Sequence, residues 1–147
     1  MAAADDSVAA RVLVVAHRTA ATPRLIEAVR ARATAGPCTF TLLVPRGYWD
    51  PDTEASSLVL ELALPLLEDA AGAPITGVVG ASDPLLAVRE ALADGDFHDV
   101  IISTLPARVS HWLRRDLPSR VERLGLPVTV VIAQERQGSS TPPIDQR

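Results

Sequence analysis

The residues of this chain best placed to do chemistry are its arginines, and they are concentrated in one stretch. Between Ser103 and Arg123 stand Arg108, Arg114, Arg115, Arg120 and Arg123 against only Asp116 and Glu122, a net of +3, which leaves −7 for the remainder of a chain whose formal charge is −4. A guanidinium offers paired donors that match a phosphate or a carboxylate, so such a stretch favours an anion. It opens with the hydroxyls of Ser103 and Thr104, at the end of the apolar run Val100 to Ile102. A second polar cluster, His17-Arg18-Thr19, follows another apolar run, Arg11 to Ala16. Hydroxyl, imidazole and guanidinium together describe a binding surface for an anion more readily than a catalytic centre.

The other reactive types narrow the chemistry. All 14 basic residues are arginine. Without lysine there is no Walker A loop, no kinase-type ATP lysine and no Schiff base, since each needs an amine as point charge or nucleophile. The histidines are His17, His98 and His111, and no two have the close spacing of a metal site. Gly80-Ala81-Ser82 begins like a nucleophile elbow, but Asp83-Pro84 breaks the G-x-S-x-G pattern. No nucleophile and base pair can be named, so the reading leans away from an enzyme. Cys38 is the single cysteine, which removes any intrachain disulfide or CxxC motif. At the start of an expected strand it reads as a buried, inert thiol.

Composition sets the frame. A chain of 147 residues with 48% hydrophobic content suits one domain with a sizeable core. No apolar run reaches the roughly 18 to 20 residues of a membrane span. The opening MAAADDSVAA carries two acids where a secretory signal needs positive charge, so the expected address is cytoplasmic. The negative net charge argues against general nucleic-acid binding. The lack of lysine and asparagine beside abundant alanine, arginine and proline points to the codons of a GC-rich bacterial genome.

The elements that must position these residues are punctuated clearly. Residues 1–9 and 134–147 lack periodicity and read as flexible tails around a domain spanning 10–133. Arg11 to Ala16 is a continuous apolar strand of the kind buried on both faces of a parallel sheet. A helix follows, with Thr22 as N-cap, Pro23 at its first position and Gly36-Pro37 as its stop. Thr39 to Val44 is the second strand, and the loop Pro45 to Pro51 carries Tyr48 and Trp49, which read as a cover for a ligand or a contact with another subunit. A helix from about Asp52 to Ala71 contains Pro65, expected to kink or divide it. Ile75 to Gly80 is the third strand, and Asp83-Pro84 opens a helix to about Ala93. Val100 to Ser103 and Val128 to Ile132 complete five strands, with Trp112 between them read as packing on the core. Alternating strands and helices with short connections predict an α/β domain with a parallel sheet covered on both faces.

The order from Asp99 to Val131, a strand ending in Ser103-Thr104, a loop Leu105-Pro106-Ala107-Arg108, a helix opening near Asp116-Leu117-Pro118 and a final strand, resembles the last third of a universal stress protein. Val78-Val79-Gly80-Ala81-Ser82-Asp83-Pro84 is similar to that family's V-x-x-G-x-P turn. The resemblance spans Arg11 to Ile132. It implies a doubly wound five-stranded sheet in the order 3-2-1-4-5, with any ligand over the carboxyl ends of the first and fourth strands, where the chain parts. Candidate ligand-binding residues are then His17, Arg18, Thr19, Val44, Ser103, Thr104, Arg108 and Arg115. Arg114 and Arg115 also suit a solvated surface or a network of ion pairs.

Two departures from the family stand out. His17 occupies the place of an aspartate that helps hold ATP, and Arg115 or Asp116 replaces a helix-opening glycine. A side chain there obstructs the backbone cradle of a phosphate, and a carboxylate at a helix N-terminus takes the position the phosphate would use. The chain is therefore expected to be a small-molecule or anion-binding regulatory domain that does not hold ATP in the family's usual manner. ATP or another adenine nucleotide stays open as a ligand. The alternative is a dimeric protein-interaction module of the same fold with no nucleotide. The family order makes Val128 to Ile132 an edge strand, and the resemblance implies a homodimer through it.

Overall fold

The computed structural model of the protein describes residues 9–46, 54–106, 111–114 and 116–133. Five strands, β1 (Ala10–Val15), β2 (Cys38–Pro45), β3 (Thr76–Gly80), β4 (Asp99–Thr104) and β5 (Val128–Ile132), alternate with helices α1 (Pro23–Ala35), α2 (Glu54–Ala71), α3 (Pro84–Asp94), α4 (His111–Arg114) and α5 (Leu117–Glu122). The strands form one sheet in the order β3-β2-β1-β4-β5, and every pairing is parallel. This is the expected doubly wound sheet.

The continuous apolar character of the inner strands follows from the two helical layers. Val12 and Val14 of β1, Phe40, Leu42 and Val44 of β2 and Ile101 of β4 point to the face covered by α1 and α2. Leu13 and Val15, Leu43, Val100 and Ile102 point the other way, against α3 and α5. With water excluded from both faces, β1 from Val12, β2 from Leu42 and β4 from Val100 to Ile102 show no alternation of polar and apolar residues; β2 alternates only at Thr39 and Thr41, where one face is still open.

Helix boundaries obey local chemistry. Pro23 and Pro84 each open a helix, where a missing N–H costs nothing. Asp83 caps α3 by accepting the Leu85 N–H at 3.0 Å. Thr22 stands at the N-cap position of α1, but its hydroxyl turns back to donate to the Thr19 carbonyl at 3.0 Å. Helix α2 is a single helix through Pro65, so of the expected kink or division the division does not occur. The carbonyl that loses its donor belongs to Glu61, and both residues lie on the exposed side, where water can replace the bond. At Gly77 a Cβ would run into the Leu60 side chain, so α2 settles on β3 because this position is bare. The helical segment after β4 is two short pieces. Asp116, between them, takes the left-handed conformation at φ 58° before α5 begins at Leu117.

No helix among the described residues is long and apolar enough to cross a membrane. Across the sheet, Arg32 of α1 grips Asp99 at the start of β4 through two bonds, Nε to Oδ2 at 3.3 Å and Nη2 to Oδ1 at 3.2 Å. The bond to Asp99 holds the Arg32 guanidinium above its ordinary pKa, so the cation persists at any ordinary pH. Asp99→Asn is expected to lower stability by about 1 kcal/mol, because the pair is only partly shielded from solvent, and the difference should narrow at high salt. Urea unfolding at two ionic strengths measures both effects.

Candidate functional site

Strands β1 and β4 are neighbours whose following helices leave to opposite faces, α1 to one and α4 with α5 to the other. In open α/β sheets this parting of the chain is the place where ligands are ordinarily received. The register sets Val15 beside Ile102, so the residues after β1 face the last two of β4.

After β1 the chain turns at once. Ala16 donates its N–H to the Leu43 carbonyl at 3.1 Å, and Ala20 closes a turn on the His17 carbonyl at 3.2 Å. This turn carries Thr19 inward and Arg18 outward. Thr19 Oγ1 meets Ser103 Oγ at 2.6 Å, with the two residues 2% and 1% exposed. Thr104, equally buried, donates its hydroxyl to the Leu105 carbonyl. His17 is half-buried, and its Nε2 lies 3.2 Å from Ser56 Oγ in the first turns of α2.

The structure thus brings His17, Arg18, Thr19, Ser103 and Thr104 to one end of the sheet. Val44 reaches the same end on β2, but its side chain is fully buried in the core under α1 and α2, so its part there is packing. Arg108 and Arg115 lie outside the described residues, as do Tyr48 and Trp49. Trp112 packs against the core on the α3 and α5 face, as expected.

Ser56 is the residue the sequence reading missed. It stands next to Ser57 in a helix that is otherwise apolar or acidic, and a serine with 0% exposure in such a helix needs a polar partner. The only prior signal was the Ser-Ser pair ahead of an apolar run. A serine hydroxyl beside an imidazole is the geometry of an activated nucleophile. Ser56 is wholly buried, however, and a nucleophile must be reached by its substrate. The contact ties the start of α2 to the end of β1.

Among the described residues no group of three or more histidines, cysteines or acids could hold a metal. Cys38 is half-buried, its thiol directed at the Arg32 carbonyl at 3.8 Å and pushed up in pKa by burial, which suits an unreactive sulfur. A groove of about 370 Å³ lies elsewhere, between α1 and the starts of β4 and β5, lined by Ala28, Ala31, Arg32, Asp99, Ile101 and Thr129. Arg32 in its lining is already engaged by Asp99.

No protein-family model and no curated protein sequence matches the chain. Solved structures do. A universal stress protein in complex with cAMP superposes with a TM-score of 0.63 at 14% identity, over 86% of this chain and 98% of that one. The universal stress protein from Archaeoglobus fulgidus gives a TM-score of 0.62 at 11% identity, over 89% and 99%. The chain has the universal stress protein fold, with the same sheet order and the helices on both faces.

The hydroxyl pair makes a direct test of the packing at this site. Ser103→Ala leaves the Thr19 hydroxyl buried beside a methyl group, and the expected loss is about 1 to 2 kcal/mol. Combining it with Thr19→Val removes both polar groups and should cost less than the two single changes together. Thermal unfolding of the two single variants and the pair completes the cycle.

Proposed function

We propose that this domain binds an anionic small molecule at the crevice between the carboxyl ends of β1 and β4, and that it acts as a regulatory binding module without turnover. The observation that carries the reading is the polar turn His17-Arg18-Thr19, with Arg18 exposed, anchored by the Thr19–Ser103 bond to the end of β4 at the point where the chain parts. The Thr19 and Ser103 hydroxyls, buried and satisfied by each other, fix the turn that presents His17 and Arg18 at the end of the sheet. His17 and Thr104 add polar edges, and Arg18, exposed beside them, adds positive charge. An adenine nucleotide is the first ligand to try, because one structural relative is described in complex with cAMP.

Isothermal titration with cAMP, AMP, ADP, ATP and a set of phosphorylated metabolites without a base tests the reading. At least one should bind, and Arg18→Ala should weaken it about tenfold, as expected for one lost charge-assisted contact worth about 1.4 kcal/mol. Flat titrations throughout would overturn the proposal.

The second reading, a module that works by pairing, is favoured by β5. It is bonded to β4 on one side, and Val130 and Ile132 on this edge strand are 38% and 40% exposed. Among the described residues its other edge has no partner strand, and an apolar edge of this kind invites another strand. We propose a homodimer through β5, with a dimeric mass expected in light scattering at micromolar concentration. A monomeric mass would sink it.

A further inference from the structure

Helix α2 is apolar on two opposite sides. Leu60, Ala63, Leu67 and Ala70 face the sheet. With about 100° between successive residues, the side turned away from the sheet carries Leu58, Leu62 and Pro65, flanked by Leu66. The three leucines are 54%, 64% and 47% exposed. A helix lying on a sheet ordinarily shows water a charged face, and one that is apolar all round is covered on both sides. A row of large side chains left open in this way marks an interaction surface.

The charges say what covers it. Helix α2 contains four acids and no base. Glu68 is engaged, its Oε2 accepting the Ile75 N–H at 2.9 Å. Glu61 and Asp69 are exposed beside the leucines. Asp69 sits in the last turn, where the helix dipole is already negative and a cation is the favourable neighbour, yet that turn has no basic residue. The stripe therefore combines apolar contact with negative charge that no salt bridge among the described residues compensates.

We propose that the outward face of α2 is a docking surface for a basic amphipathic helix of a partner protein, with apolar side chains seated along Leu58, Leu62 and Leu66 and arginine or lysine on Glu61 and Asp69. A second copy of α2 fits less well, because two-fold pairing would oppose two helices that carry acids and no cation. An anionic bilayer is repelled by the same acids.

The test uses the full chain and two labelled peptides of equal length, both helical with leucine on one face. One carries arginine on its flanks and the other glutamate. Fluorescence anisotropy should show saturable binding of the arginine peptide and none of the glutamate peptide. Leu62→Gln should weaken binding at least tenfold, and so should Glu61→Gln combined with Asp69→Asn. All these side chains are exposed, so circular dichroism should be unchanged; Leu58→Gln replaces Leu62→Gln if that variant fails to fold. Equal binding of both peptides, or undiminished binding to the variants, overturns the proposal. So does a dimer that Leu62→Gln abolishes, which would assign the face to a second copy. Adsorption to phosphatidylcholine or phosphatidylglycerol vesicles that the same change abolishes would also overturn it and assign the face to a bilayer.

Discussion

Strand β1 is paired on both edges and covered on both faces, and from Val12 to Ala16 no residue is more than 1% exposed. A polar side chain in that position would have to be desolvated without a partner. The strand can therefore do no chemistry along its length. Whatever polar group it delivers must come after its last buried residue, and His17 is the first position that qualifies. In strand β4 the same constraint holds from Val100 to Ile102, and the buried Ser103 that follows has its partner in Thr19. The site consists of what these two strands can carry once they leave the core.

This explains why the elements were legible and the site only partly so. Buried parallel strands write themselves as β-branched runs, and proline with a capping residue marks a helix start, so Arg11 to Ala16, Pro23 and Asp83-Pro84 could be read directly. The order of the strands could not be read from periodicity; it came with the resemblance to universal stress proteins, and the sheet has that order. Ser56 was invisible because its partner is 39 residues away, and nothing local distinguishes a serine that reaches an imidazole from one that faces water. The division expected at Pro65 failed for a related reason. Proline costs a helix the bond to the i−4 carbonyl, and whether water can replace it depends on exposure, which is a tertiary property.

The chemistry at the crevice is that of side-chain hydroxyls. Thr19 and Ser103 satisfy each other in the described structure, so the polar groups exist without strain whether or not a guest is present. A pair of this kind has alternatives available to it, since each hydroxyl can donate or accept by rotation. Backbone cradles lack that freedom, and their geometry is set when the chain folds.

At the opposite end of the same two strands, Arg11 donates its backbone N–H to His98 Nδ1 at 2.9 Å, accepts the His98 N–H at 2.8 Å, and lays its guanidinium over the Phe97 ring at 4.9 Å from the centroid. These contacts join positions 87 residues apart in the chain. Closing so long a loop is entropically costly and is delayed until the intervening strands and helices have collapsed. On the ribosome, β1 must wait with one edge open until the last third of the chain has emerged. The meeting of the turn after β1 with the end of β4 is accordingly among the last features of the fold to exist.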